Sequence, residues 1–165
     1  MTSKKGDIAA MRLLLAYKAR VDCSDLDGWT PLWAAALKGH AEALKLLLKH
    51  KAQVNRVTER GVSPLLIATK HGHTDAMEIL LQHHARHASQ ALLGQSNQTP
   101  LRAAVRLRNM GGAILLLAYG ADLGAGLKLT GLNETNAMLQ LLAACGAKLP
   151  TNPDGSHQFP VSLTD

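Results

Sequence analysis

The chain has 165 residues, 47% of them hydrophobic and 18% charged. That is enough apolar material to bury the core of one domain, and too much for a chain disordered throughout. Aromatic residues make up only 3%, namely Trp29, Trp33, Tyr17, Tyr119 and Phe159, so Leu and Ala must build the interior, which favours thin, closely packed helices over a sheet-based core. The formal net charge of +6 favours an acidic partner surface without singling out nucleic acid.

Cys23 and Cys145 stand far apart with no CxxC spacing, and no charged leader runs into an apolar stretch with a cleavage site. The expectation is a reducing setting, cytoplasmic or nuclear. The longest apolar run, Ala113 to Ala118, falls far short of the roughly 20 residues that span a bilayer, so no membrane partner is expected.

Taken in chain order, the first element is a helix through Met11-Arg12-Leu13-Leu14-Leu15, preceded by Lys5-Gly6-Asp7. The same pattern returns at Lys38-Gly39-His40 and the apolar segment after it, so the chain opens almost halfway through a repeating unit. A fragment or an alternative start is expected, with Met11, Leu14 and Leu15 left uncovered. Self-association through this uncapped end is the corresponding partner expectation.

The next two units carry the repeat. Gly28-Trp29-Thr30-Pro31-Leu32 recurs 33 residues later as Gly61-Val62-Ser63-Pro64-Leu65, and Gly39-His40 as Gly72-His73. The same shift carries Leu47-Leu48 onto Leu80-Leu81 and Ala52 onto Ala85. Agreement under one offset predicts a solenoid, because each unit has an apolar face that only a like neighbour buries. Thr30 or Ser63 is placed to cap a helix, with Pro31 or Pro64 at its first position, where a missing N–H loses nothing. Small residues follow, Ala34 to Ala36 and Ala68, and Gly39 or Gly72 ends the helix in a left-handed conformation. A second helix starts at once. Its Leu44, Leu47 and Leu48 recur as Met77, Leu80 and Leu81, one apolar stripe at helical spacing, while Glu42, Lys45 and Lys49 lie on the other face.

These residues resemble the ankyrin repeat, whose pattern runs roughly D-x-x-G-x-T-P-L-H-x-A-A-x-x-G-H, then an apolar helix, then G-A-x-V-N. Asp25 to Asn55 follows it most closely and Thr58 to Ala88 less so. A third unit, Asn97 to Gly124, keeps Thr99-Pro100-Leu101, Ala103-Ala104 and Gly120-Ala121-Asp122, with Arg108-Asn109 in place of Gly-His. The resemblance implies an all-α ankyrin solenoid of helix-turn-helix units with short β-hairpin turns. It also implies a scaffold or adaptor that binds protein rather than an enzyme.

The departures are specific. The family's His after Pro-Leu becomes Trp33, Leu66 and Arg102, so its hydrogen bonds are absent. The Gly before Ala becomes Lys18, Lys51 and His84, which places non-glycine residues where a left-handed backbone is expected, at roughly 1 kcal/mol each.

At the far end Gly146-Ala147 follows Gly120-Ala121 by 26 residues instead of 33, so about seven residues of a hairpin are missing. Leu132 to Ala144 is expected as the last helix, and Pro150 onward reads as a loose tail. The expected domain covers 1–150: a partial repeat over 1–23, repeats over about 25–56, 58–89 and 96–124, and an atypical short repeat over 125–150. The tail covers 151–165.

The chemistry-bearing residue types point to structure rather than catalysis. Among the eight histidines, His83, His84 and His87 invite a metal site, but Ala85 marks a loop, no Cys or acid completes the set, and His50 sits at the position equivalent to His83. A surface ladder is the simpler account, with no metal and no cofactor. His40 and His73 belong to the helix junction. Gly111-Gly112 and Gly120 to Gly126 lack the context of a phosphate loop. No nucleophile-base set has supporting spacing, and the positions of Cys23 and Cys145 suggest partly buried thiols.

The resemblance implies a concave face made of hairpin tips and the exposed side of each first helix. In this register it takes in Leu26, Asp27, Trp29, Leu37 and Lys38, then Glu59, Arg60, Val62, Lys70 and His71, then Gln98, Arg106 and Leu107. Lys38, Lys70 and Arg106 make a basic stripe suited to an acidic, partly apolar protein segment, and Trp29 either anchors that segment or folds back onto Trp33. Two alternatives stand beside this reading. One is substrate recognition for a ubiquitin ligase, with Phe159-Pro160-Val161-Ser162-Leu163 as the approach to a SOCS-box segment. The other is nucleotide or RNA binding, with Trp29 stacking a base.

Overall fold

The computed structural model describes residues 4–86 and 99–121. They form seven α-helices: α1 (Lys4–Ala16), α2 (Pro31–Lys38), α3 (Ala41–Lys49), α4 (Pro64–Lys70), α5 (Thr74–Gln82), α6 (Pro100–Arg106) and α7 (Met110–Ala118). Among the described residues there is no strand. Gln98, His87 and Cys145 lie outside the described residues, as do the short repeat over 125–150, its helix over 132–144 and the tail.

The first helix of each unit begins for one local reason. Thr30, Ser63 and Thr99 hold extended backbone at the N-cap. Each side-chain oxygen accepts the amide three residues on, Trp33 at 3.1 Å, Leu66 at 3.1 Å and Arg102 at 3.2 Å. Each such cap contributes about 1 kcal/mol, and the proline that follows has no orphan N–H to satisfy. α2 ends as expected, with Gly39 at φ 68°. α4 and α6 stop one residue earlier, at caps His71 and Leu107, and the left-handed residue comes next as Gly72 (φ 72°) and Arg108 (φ 56°).

α2, α4 and α6 stack side by side as one layer, and α1, α3, α5 and α7 as another, with α2 against α3, α4 against α5 and α6 against α7. Ala35, Ala68 and Ala104, at equivalent places in the first layer, are all buried, and their small size lets successive helices approach. The second layer supplies the bulk: Leu44, Leu47, Leu48, Met77, Leu80 and Leu81 are all buried. At about 1.5 to 3 kcal/mol for each fully buried Leu or Met, this stripe is the main source of stability. α3 half covers Met11 and Leu15, which pack against the core along with Ile8. That corrects the expectation that Met11 and Leu15 lie bare; of the three only Leu14 is exposed, at 62%.

Two periodic features join the units. After each second helix the chain turns left-handed at Lys18 (φ 62°), Lys51 (φ 67°), His84 (φ 62°) and Gly120 (φ 79°). A left-handed residue other than glycine costs about 1 to 2 kcal/mol. A cation at an exposed helix C-terminus returns only about 0.3 to 1 kcal/mol, so Lys18 and Lys51 are net liabilities to the fold. Just beyond, Asp22 accepts the Gln53 amide (3.0 Å) and Asn55 Oδ1 the Arg86 amide (2.7 Å). Asn55 Nδ2 also donates to the His84 carbonyl, and Arg56 donates to the Asp22 carbonyl (3.0 Å) and to Ser24 Oγ (3.1 Å). Each loop is thereby latched to the next.

Candidate protein-binding face

The hairpins ahead of α2 and α4 are built by short polar side chains. Asp25 Oδ1 accepts the amides of Asp27 (3.1 Å) and Trp29 (2.8 Å), while Thr58 Oγ1 accepts that of Val62 (3.2 Å). Two backbone bonds close each turn: Asp25 N to the Trp29 carbonyl and Gly28 N to the Asp25 carbonyl in the first, Thr58 N to the Val62 carbonyl and Gly61 N to the Thr58 carbonyl in the second. The two tips touch through Glu59 N donating to the Asp27 carbonyl at 3.1 Å, which brings Leu26 and Asp27 beside Glu59 and Arg60.

At its base the first hairpin carries an aromatic pair. Trp29 lies stacked on Trp33, ring centroids 4.8 Å apart and planes 22° apart. Trp33 is buried beneath, and its indole Nε1 has no hydrogen-bond partner among the described residues. Trp29 still exposes 46% of its surface and Leu26 all of it. Of the two roles left open for Trp29, the fold-back occurs, and it presents a broad apolar platform rather than a free side chain.

Basic residues end each helix of the same layer: Lys38 closes α2, Lys70 closes α4 and Arg106 closes α6. Side-by-side packing of these helices sets the three cations in a row. Lys70 and Arg106 are equivalent by position, whereas Lys38 is equivalent to His71 and Leu107. Lys38, Asp27, Glu59, Arg60, His71, Arg106 and Leu107 are exposed, while Leu37, Val62 and Lys70 are half-buried. Leu37 is held by its backbone, whose carbonyl accepts His73 Nε2 at 3.0 Å. His73 in turn stacks near His71, centroids 6.1 Å apart, so the junction histidine of one unit fastens the preceding helix end. His40 is exposed and makes no such bond with the described residues.

The remaining chemistry-bearing residues are scattered. α5 ends at Gln82 with His83 as its cap and His84 left-handed, so His83 and the following residues do not share a helical face. His50 caps α3 in the same way. Cys23 is exposed, which corrects the expectation of a partly buried thiol: it lies in the latch loop between Asp22 and Ser24, outside the packed helices. The latch residues Asp22, Asn55 and Arg56 escaped notice in the sequence, although Asp22 and Asn55 lie one 33-residue period apart. Among the described residues no helix is long and apolar enough to cross a membrane.

Among curated proteins, no sequence matches this chain. A family model described as ankyrin repeats (3 copies) matches residues 1–91 and 57–126. Capped Thr/Ser-Pro helices, left-handed turns at a fixed period and two stacked helical layers agree with that match: the chain belongs to the ankyrin repeat family.

Proposed function

We propose that this chain binds an acidic, partly apolar segment of a protein partner across the face formed by the hairpin tips and the α2, α4 and α6 layer. Ankyrin repeats serve generally as protein-interaction scaffolds, and recognition by a preformed surface needs no catalytic group. The observation that carries the finer reading is the row Lys38, Lys70 and Arg106 at the C-terminal ends of the same helix layer whose first N-terminus carries the Trp29 platform. An apolar side chain of the partner covers the exposed indole of Trp29 and Leu26, and acidic residues meet the row. A reducing compartment, cytoplasm or nucleus, suits the exposed thiol of Cys23.

The test is association kinetics with a partner captured by the whole chain. Charge reversal at Lys38, Lys70 and Arg106 is expected to slow association by about tenfold or more at low salt, with a smaller effect on dissociation. An unchanged association rate would remove the proposal. Steep salt dependence with a polynucleotide, lost on Trp29→Ala, would replace it with the nucleic-acid reading.

A further inference from the structure

A second charged surface lies at the other end of the helices from Lys38, Lys70 and Arg106, on the loops that follow α1, α3 and α5. The segments 17–23, 49–56 and 82–86 contain Lys18, Arg20, Lys49, Lys51, Arg56 and Arg86, together with His50, His83 and His84, against a single carboxylate, Asp22, which is engaged with the Gln53 amide. All of these cations and histidines except Arg56 are exposed. Arg56 is engaged with the Asp22 carbonyl and Ser24 Oγ, whereas the side chains of Lys18, Arg20, Lys49, Lys51 and Arg86 form no hydrogen bond or ion pair with the described residues. Lys45 and Glu42, paired at 3.7 Å, belong to α3 and not to these loops.

The loops are not independent. The Asp22–Gln53, Asn55–Arg86 and Asn55–His84 bonds tie each to the next, so Lys18, Lys51 and His84 repeat as rungs of one ladder. Backbone conformation supplies an independent observation. All three rungs are left-handed, and the equivalent residue of the next unit is Gly120 with the same sign of φ. The chain thus uses the strain-free residue at one rung and a charged or polar side chain, against the backbone's preference, at three. Helix-dipole compensation is too small to account for that choice, and stored local strain points to function.

We propose that this ladder is a second interaction surface, distinct from the α2, α4 and α6 face, that binds an extended acidic protein segment running across the repeats. The spacing favours such a segment. Packed helices lie about 8 to 10 Å apart, and three extended residues cover about 10 Å, so a segment with an acidic residue at every third position places one carboxylate at each rung. Nucleic acid carries its charges far more closely along its axis.

The probe is a fluorescein-labelled peptide of Glu-Ser-Gly triplets, titrated into the whole chain by fluorescence anisotropy at low salt. Replacing Lys18, Lys51 and His84 together by glycine relieves the strain, so the variant folds. Its Tm is expected to equal or exceed that of the parent while its Kd for the peptide rises about tenfold, as for two weak exposed charge pairs and one hydrogen bond from the His84 ring. Arg20→Gln with Lys49→Gln, at positions without strain, is expected to weaken binding in the same direction. Charge reversal at Lys38, Lys70 and Arg106 is expected to leave it unchanged. An unchanged Kd in the glycine variant overturns the proposal, as does loss of peptide binding on reversal of the other face. Tighter, ladder-dependent binding of a single-stranded oligonucleotide or of phosphatidylserine vesicles overturns it in favour of those partners.

Discussion

Gly39 shows how much one backbone position can be asked to do. Its φ of 68° is open to other residues only at a cost, and the place a Cβ would occupy lies 2.6 Å from His73 Nδ1, inside the ring that fastens Leu37. Gly72 has the same φ to within a few degrees, yet nothing lies within 4 Å of its missing Cβ. Strain alone therefore acts at Gly72, whereas strain and displacement of His73 act together at Gly39. Gly72→Ala is expected to cost about 1 kcal/mol and Gly39→Ala about 2 to 4 kcal/mol in urea denaturation. Equal losses would show that the His73 ring yields freely. Trp33 illustrates the opposite case, a side chain that contributes through its bulk while its N–H goes unused. Trp33→Phe is expected to stay within about 1 kcal/mol of the parent, because loss of a little apolar area is offset by removing a buried donor without an acceptor. A loss of several kcal/mol would mean that the indole nitrogen has a partner.

Between elements, joining is divided between apolar stripes and polar latches. Where α1 meets α3, the stripe is only half covered, so the latch at Asp22 carries more of the connection there than its counterpart Asn55 does deeper in the stack. Asp22→Ala is expected to speed amide exchange throughout α1 while leaving α4 to α7 near their original protection. Uniform loss of protection would refute a local role. How these elements form was largely legible in the sequence, because caps, left-handed turns and apolar stripes depend on residues within a few positions of one another. Thr30, Ser63 and Thr99 announced three helix starts, and Lys18, Lys51 and His84 announced their own backbone. The half-burial of Met11 and Leu15, the exposure of Cys23 and the stacking of Trp29 on Trp33 depend on which neighbour arrives from another unit. The candidate binding face was legible only as a register: periodicity ordered Lys38, Lys70 and Arg106, but not that Lys70 would be half-buried and Lys38 exposed.

Across the whole molecule each unit leans on its sequence neighbours, so stability accumulates along one dimension. Damage at the middle of such a stack acts on two interfaces at once. Leu80→Ala, which empties a fully buried site in α5, is expected to cost about 2 to 5 kcal/mol and to broaden the urea transition seen by far-UV circular dichroism. A transition shifted but equally sharp would show that the array melts as one body. The aromatic pair bears on the same question in optical terms. The two tryptophans of the chain sit in contact within a single repeat, so indole emission is a private signal from that repeat while circular dichroism averages over all helices. Any gap between the two melting curves is then a direct reading of how far one repeat loosens before the others follow. The same emission, with no label attached, reports whatever settles on that hairpin.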